Sequence, residues 1–510
     1  MPNGRLLTVA AFACVTLSCS DPTEPSNPAA VGTPVFTWCQ GWKGAPATGS
    51  VVVDLYFHGD GPPTAAQESL VIEHGGRILH RYQVPVIRAQ VPADALPAVF
   101  EADLSTRTRP NHARSVPDRR AAAVDLVILF ERTVLPGDLE LVESLNGRMT
   151  HVFQLVTGLA AEVPDAALPS LRAWDGVTAI ELNQIGCGLS PTHLDPTSGE
   201  AVDRTVGMDA VPGLRSEDGA EVQVQHDPPW GLDRIDQRDL PLDGRYVYDR
   251  TGAGATVFLL DSGLRLQHQE FQGEGGGRAT HGVSFVDDGG GPDDCSGSGT
   301  HLGGTIAGST YGVAKEARLV SVRILDCHGE TAVVDWLRAL EWVASQVVSR
   351  SVVHMSTAIP AHKAIDEASA ALFPLGVVVV SGAGDLRREA CDYSPGRVPQ
   401  VINVAATTEM DTPSTHTNRG TCVDLFAPGE NIISAGHTSD EDSRVEGGSS
   451  FLAAAHVTGI VAAYRGAFGH HSPPVVVEAV LQNATTDRLT GTDPASPNLL
   501  SYSMPPEPDS

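Results

Sequence analysis

Three short segments of this 510-residue chain contain the side-chain types that catalyse acyl transfer through a serine. Asp261 directly follows an apolar run, His301 begins a helix-like stretch, and Ser450 precedes an alanine-rich stretch. A serine hydroxyl attacks a carbonyl when an imidazole accepts its proton and a carboxylate orients that imidazole. Because a lone Asp or His is more often structural, the assignment depends on the elements around these residues.

The hydrophobic pattern after Pro229 predicts the elements that would position these side chains. Short, uninterrupted apolar runs are typical of parallel strands that are buried on both faces. Helix-like stretches separate the runs, and this alternation predicts an α/β fold, a parallel sheet with helices on both faces. The apolar runs lie at residues 257–260, 319–325, 352–355 and 377–380, and the helix-like stretches at 333–348 and 362–372.

Four segments, in order along the chain, resemble the proteinase K-like branch of the subtilases, a family of serine peptidases. They are residues 230–243 with 252–263, residues 299–304, the stretch from 391 to 429, and residues 448–459. The resemblance implies a subtilisin-like peptidase domain over residues 229–504 and serine endopeptidase activity on a polypeptide substrate. It also implies that Asp261 is the acid of the catalytic triad and His301 its base.

The position of the nucleophile stays open between two residues. In the family, Gly-Thr-Ser is followed by four residues and a His, and counting back from His456 without a gap gives Phe451. Counting forward from Gly448 gives Ser450, because Gly-Ser-Ser then replaces Gly-Thr-Ser. The second alignment requires one extra residue at the helix start, which rotates a helix by about 100°.

The oxyanion position also departs from the family pattern. The family uses an Asn side chain as hydrogen-bond donor, and this chain has Asp385 in its place. An ionised Asp cannot donate a hydrogen bond, and loss of one such donor lowers the rate by about 10²–10³. We therefore expect impaired stabilisation of an oxyanion.

Two more departures lie in the same region. The substrate-binding strand usually reads Ser-Leu-Gly-Gly, and here it contains Ser356, Thr357, Ala358 and Ile359. The family glycines let the substrate backbone lie close, so side chains at the last two positions would crowd the cleft. Ser298 replaces the His that usually begins the Gly-Thr-His motif.

The cysteines and one acidic residue predict stabilising cross-links and a cation site. The resemblance places Cys295 with Cys327 and Cys391 with Cys422 at disulfide positions, and elimination leaves Cys39 to pair with Cys187. Pro399, Val401 and Asp424 match a calcium site of proteinase K-like enzymes. Two carbonyl oxygens and one carboxylate suit that ion, and the alternative is that Asp424 merely caps a turn.

The N-terminal half contains an internal repeat. The sequence from Gly76 to Val84 matches that from Gly147 to Leu155, and each copy follows the order β-α-β-β-α-β. The first copy lacks a good last strand. The units at 45–115 and 120–185 resemble the inhibitor-type propeptides of subtilases and predict two ferredoxin-like domains, although the first could instead be a binding module. Residues 186–228 are interpreted as a linker.

The N-terminus and the overall charge indicate an exported protein. Residues 1–19 have the short apolar core of a signal peptide, and 20–44 are typical of a polar linker. Cys19 stands where a bacterial lipoprotein is lipidated, so lipid anchoring and simple secretion both stay open. The net charge of −28 argues against nucleic acid as a partner, and a membrane is predicted only through a lipid on Cys19.

These departures favour an exported, inactive or severely impaired protease homologue that binds protein and keeps its own propeptide-like domains. The alternative is an active endopeptidase that uses Asp261, His301 and Ser450 and processes itself in the linker. A third hypothesis is a protease inhibitor that acts through residues 45–185. Calcium is the one cofactor that the sequence predicts.

Overall fold

The computed structural model describes residues 35–37, 41–43, 50–56, 65–74, 77–81, 86–92, 107–109, 123–188, 208–215, 221–273, 276–289 and 291–503. The chain forms two compact units, one of residues 1–152 with 157–185 and one of residues 153–156 with 186–510. The expected signal peptide and Cys19 lie outside the described residues. Within those residues, no helix has both the length and the apolar character needed to cross a bilayer.

The first unit contains two four-stranded antiparallel sheets with the same strand order. The first copy comprises β3 (Ser50–Tyr56), α1 (Ala65–Glu73), β4 (Arg77–Arg81), β5 (Val86–Pro92) and β6 (Arg107–Arg109), after a hairpin of β1 (Val35–Thr37) and β2 (Gly41–Lys43). The second comprises β7 (Ala123–Phe130), α2 (Pro136–Ser144), β8 (Arg148–Val152), β9 (Gly158–Pro164), α3 (Leu168–Arg172) and β10 (Val177–Leu182). Their orders, β6-β3-β5-β4 and β10-β7-β9-β8, are those of a ferredoxin-like sandwich.

The second copy has a continuous apolar core. Leu126 and Ile128 of β7 pack with Leu159 of β9 and with Leu168 and Leu171 of α3, and all are fully buried. These side chains bury one face of the sheet against the helices, and Val127 and Leu129 of β7 are fully buried as well. The first copy ends in the three-residue strand β6, so it has a last strand, although a short one.

The stretch expected to be a linker contains regular structure. It includes β11 (Ile185–Cys187), β12 (Met208–Arg215) and β13 (Glu221–His226), followed by α4 (Trp230–Ile235) and β14 (Arg245–Tyr248). Strands β12, β13 and β14 form one antiparallel sheet. The sequence of β13 lacks a clear apolar alternation, because only Val222 and Gln225 of that strand are fully buried and one of them is polar.

A nine-stranded sheet forms the centre of the second unit, as expected of a subtilisin-like α/β fold. Its order is β16-β17-β15-β19-β21-β23-β24-β28-β27, and every pair is parallel except β28 with β27. These strands are β15 (Thr256–Asp261), β16 (Ala279–Ser284), β17 (Arg318–Arg323), β19 (Ser351–Met355), β21 (Val378–Gly382), β23 (Val401–Thr407), β24 (Leu425–Pro428), β27 (Thr485–Thr486) and β28 (Leu499–Leu500).

Short hairpin strands and helices surround this sheet. The short strands are β18 (Glu330–Ala332), β20 (Ile359–Pro360), β22 (Tyr393–Ser394), β25 (Glu430–Ala435) and β26 (Ser443–Gly448), and the helices are α5 (Ser298–Ala307), α6 (Val333–Gln346), α7 (Lys363–Leu372), α8 (Ser450–Ala467) and α9 (Pro473–Asn483). Val257 of β15 packs in one core cluster with Leu302 of α5 and Leu452 of α8. Phe258, which points to the opposite face, meets the ring of Trp342 of α6 at 6.2 Å. Helices therefore cover both faces.

Candidate active site

Asp261 ends β15 at the carboxyl edge of the sheet, where ligand sites of parallel sheets lie. Its side chain is fully buried. Oδ1 accepts hydrogen bonds from the backbone N–H and the hydroxyl of Ser262, and Oδ2 accepts one from the Ser298 hydroxyl at 3.1 Å. Burial raises the pKa of Asp261 to about 6. The carboxylate is thus positioned to orient a neighbouring group.

The group that Asp261 orients is Ser298, the first residue of α5. Gly297 precedes it with φ at +95°, a left-handed conformation that glycine adopts without strain and that turns the chain into the helix. In the family a His begins this motif, so residue 298 occupies the position of the base. A serine hydroxyl has no nitrogen lone pair with which to accept a proton near neutral pH.

His301 is not part of this constellation, which corrects the expectation that it is the base. Its Nε2 lies 3.0 Å from the carbonyl oxygen of Ile432 and 3.1 Å from that of Arg444. Its Nδ1 has no hydrogen-bond partner, and the whole ring is buried. Burial lowers the pKa of His301 to about 3. The ring is therefore a neutral donor to two carbonyls and contacts neither Asp261 nor Ser450 through a hydrogen bond.

The two candidate nucleophile positions lie at the start of α8. The helix runs without interruption from Ser450, and Ser449 caps it by accepting a hydrogen bond from the N–H of Phe451. The Ser450 oxygen accepts from the N–H of Gly384 at 2.9 Å. Phe451 is buried, with 4% of its surface exposed. Among the residues that the structure describes, no imidazole forms a hydrogen bond with the Ser450 hydroxyl.

Phe451 fits a space that the sequence analysis did not anticipate. A β-carbon added at Gly382 would lie 2.6 Å from Cδ1 of Phe451 and 2.8 Å from Oγ of Ser450. Both distances are shorter than van der Waals contact allows, so only glycine at position 382 leaves room for this ring. The phenyl ring thus packs against the end of β21 beside the active site.

Asp385 binds the N-terminus of α8. One carboxylate oxygen accepts a hydrogen bond from the Ser449 hydroxyl at 2.6 Å, and the other accepts from the N–H of Ser450 at 2.7 Å. A negative charge is favourable at a helix N-terminus, where backbone N–H groups lack helical partners. The carboxylate therefore engages these two donors, which then cannot stabilise an oxyanion.

The expected substrate strand contacts the chain's own residues. Ser356 donates its hydroxyl to the carbonyl of Leu260, and Thr357 is buried with no hydrogen bond to its hydroxyl oxygen. Ala358 forms an antiparallel bridge with Cys187. A docked segment within the presumed linker was missed, although Gly-Cys-Gly at 186–188 was a signal of close backbone approach.

Two of the expected disulfides are confirmed. Cys295 is bonded to Cys327 and Cys391 to Cys422, with Cα atoms 5.1 Å apart in each pair. Cys187 is also disulfide-bonded. Cys39 lies outside the described residues, so its pairing with Cys187 stays a prediction.

The expected calcium ligands lie at the start of β23 and before β24. Asp424 Oδ2 accepts a hydrogen bond from the N–H of Asn403 at 2.7 Å. Burial raises the pKa of Asp424 to about 6, and no Lys or Arg among the described residues forms an ion pair with it. A half-buried carboxylate without a cationic neighbour among these residues fits a hard cation.

Comparison with known proteins agrees with this architecture. Residues 252–502 match the Subtilase family. The chain is 40% identical over 345 residues to the "Extracellular serine proteinase" of Thermus sp. (strain Rt41A), a match that covers 68% of this chain and 75% of that protein. It is also 40% identical over 275 residues to the "Alkaline serine exoprotease A" of Vibrio alginolyticus, covering 54% of this chain and 50% of the relative.

A solved structure matches the same region. The crystal structure of a cold adapted subtilisin-like serine proteinase is 38% identical, covers 55% of this chain and 99% of its own, and gives a TM-score of 0.52. The order of strands, the buried acid at the end of β15 and these matches lead to one conclusion: the chain belongs to the subtilase family.

Proposed function

We propose that this protein is an exported subtilase homologue that does not hydrolyse peptide bonds and acts instead as a binding scaffold. The observation that carries the proposal is the hydrogen bond from the Ser298 hydroxyl to Asp261. Ser298 stands in the position of the base, and its hydroxyl cannot accept the proton of a nucleophile. Phe451 in the ungapped nucleophile position has no nucleophilic atom. Loss of the triad serine or histidine alone costs about 10⁶ in kcat in subtilisin.

The alternative active centre of Asp261, His301 and Ser450 has no support in the geometry. To act as base, the buried His301 ring would have to leave the carbonyls of Ile432 and Arg444 and reach the Ser450 hydroxyl. Those carbonyls would then lose a buried donor, which costs about 1–3 kcal/mol.

Active-site labelling tests the proposal directly. We expect the purified chain to remain unlabelled by a fluorophosphonate probe and not to cleave casein or a library of peptide substrates. A variant with Ser298→His, Phe451→Ser, Gly382→Ala and Asp385→Asn restores the family residues at the base, nucleophile and oxyanion positions and serves as the positive control. Label on Ser450 of the natural chain, or self-cleavage between residues 184 and 228, would refute the proposal.

We further propose that the chain belongs to the proteinase K-like branch and that its two ferredoxin-like units are propeptide-like domains. The two disulfides at the expected positions support the branch, and the strand order of both sheets supports the domains. The Thermus relative named as extracellular supports export. Mass spectrometry of the N-terminal peptide tests export by cleavage near Cys19 and detects an acyl chain on that residue if the protein is lipid-anchored.

We also propose calcium binding by Asp424 with the carbonyls of Pro399 and Val401. The ion would supply the positive charge that this buried carboxylate lacks. We expect calcium to raise the melting temperature of chelator-treated protein, and Asp424→Asn to abolish that increase. An equal increase in the variant would place the ion elsewhere.

A further inference from the structure

The residues Gly186 to Gly188 form a strand against the former substrate-binding elements. The N–H of Gly188 donates to the carbonyl of Gly329 at 3.0 Å, Cys187 pairs antiparallel with Ala358, and β11 forms a two-stranded sheet with β18. Gly186 and Gly188 are buried. Backbone pairing therefore holds this segment between two edges of the same unit.

Gly186 lies between two methyl groups of the expected substrate strand. A β-carbon at this position would lie 2.8 Å from Cγ2 of Thr357 and 2.8 Å from Cγ2 of Ile359. Both residues are β-branched, so their χ1 angles are stiff and the methyl groups cannot easily turn away. Thr357 stands where the family has Leu and Ile359 where it has Gly, and their Cγ2 methyl groups exclude every residue except glycine here.

Gly188 also lies close to its neighbours, but the nearest atom belongs to a flexible side chain. A β-carbon there would lie 2.2 Å from Cδ1 of Leu325 and 3.3 Å from the carbonyl oxygen of Ser356. The Leu325 methyl is the end of a side chain with two rotatable bonds and can shift. We therefore expect position 188 to prefer glycine less strictly than position 186.

We propose that this cleft has become a groove selective for a strand with glycine at two alternate positions, and that its occupant is the chain's own Gly186-Cys187-Gly188. Thr357, Ile359 and Leu325 are the residues that determine this selectivity. In this groove the bound strand, and not the wall of the cleft, must supply the glycine residues. This inference rests on the proposed function in one respect: the strand stays in the groove only if the chain does not cleave it.

Hydrogen exchange of the full-length protein, read by mass spectrometry, tests the groove. We expect Gly186→Ala to speed exchange of the Gly188 amide by at least about tenfold, because the strand leaves the carbonyl of Gly329. Gly188→Ala should have a smaller effect. Gly137→Ala is the matched control, because a β-carbon at Gly137 has no atom within 4 Å and should leave the exchange of Gly188 unchanged.

A compensating variant separates selectivity from general damage. Thr357→Ser with Ile359→Leu removes both Cγ2 methyl groups and nearly conserves volume, so adding this pair to Gly186→Ala should restore slow exchange at Gly188. Unchanged exchange in Gly186→Ala, or failure of the pair to restore it while β15 stays protected, would overturn the proposal. Fluorophosphonate labelling is a separate measurement, so failure of the groove and failure of the proposed function are distinguishable.

Discussion

At the scale of single residues, the contact with Asp261 belongs to Ser298 and not to His301, the residue that the motif suggested for it. Ser298 and His301 are three residues apart, a rise of about 4.5 Å along α5. That distance is enough for one side chain to bind Asp261 while the other binds the carbonyls of Ile432 and Arg444. The sequence motif contained both residues, and only the contacts of Asp261 identify which one occupies the position of the base.

The contact between Phe451 and Gly382 predicts a strong energetic coupling. Phe451→Ser should create a cavity and lower the free energy of unfolding by about 3–5 kcal/mol, as large-to-small changes of buried aromatics do. Gly382→Ala should also destabilise, because its β-carbon would overlap the ring. The double variant should be more stable than the sum of the two effects predicts.

Urea denaturation of the two single variants and the double variant measures this coupling. Neither single variant should gain hydrolytic activity, since Ser298 still stands in place of the base. Strictly additive effects on the free energy of unfolding would show that the ring and Gly382 do not constrain each other.

Buried His301 predicts a dependence of stability on pH. The pKa of His301 in the folded chain is about 3, against 6.5 for a free imidazole. Between these two pH values the unfolded chain therefore binds a proton that the folded chain does not. This contribution to stability is complete above pH 6.5 and is lost as the pH falls towards 3, at about 1.4 kcal/mol per pH unit. Because Gln can donate to the same carbonyls, the stability of His301→Gln should fall less steeply between pH 6 and 4.

Urea denaturation at half-unit pH steps measures both slopes. Identical slopes for the natural chain and His301→Gln would mean that the ring is not buried as a neutral group. The comparison is needed because other buried groups, among them Glu446 and His456, also titrate in this range.

At the scale of elements, the apolar runs predicted the central strands closely and failed where burial is partial. The runs at 257–260 and 352–355 lie inside β15 and β19, since parallel strands covered on both faces carry almost only apolar residues. In contrast, β13 was taken for linker because its polar residues hide a short alternation. The sequence left the nucleophile position open between Ser450 and Phe451, and the contacts of the base position could not be assigned without the direction of α5.

Helix α4 is held to the loop that follows β23 by a buried ion pair. Nε and Nη2 of Arg234 bind the two oxygens of Asp411 at 2.8 and 2.9 Å, and the side chains are only 1% and 8% exposed. Asp411 has φ at +55°, which Asn tolerates well. Asp411→Asn therefore removes the charge without backbone strain and should cost about 3–5 kcal/mol of stability.

An exposed ion pair provides the matched control for this prediction. Arg488 and Asp239 lie in contact with side chains 44% and 66% exposed, and Asp239→Asn should cost less than about 1 kcal/mol. Chemical denaturation of both variants gives the comparison. Equal losses in the two variants would mean that burial of Arg234 adds nothing to the strength of its pair.

At the scale of the whole molecule, the proposed function predicts whether the exported chain stays in one piece or is cleaved. A self-processing peptidase releases its propeptide-like part, whereas a chain without a base cannot cut itself. The net charge of −28 favours a soluble product either way.

We therefore expect the exported protein to be a single polypeptide that still contains residues 123–188. Denaturing electrophoresis under reducing conditions, followed by intact mass measurement, checks this, because reduction separates fragments that a disulfide at Cys187 would hold together. A reduced fragment that begins between residues 189 and 228 would contradict the expectation.

The fit between Phe451 and Gly382 also has an evolutionary consequence. A mutation that returns serine to position 451 first opens a hole, and one that returns alanine to position 382 first creates a clash. Neither step restores catalysis while Ser298 remains, so selection for hydrolysis has no single change to favour. Under the proposed function, this epistasis works as a ratchet, because each single reversal leads to a less stable protein that still lacks the base.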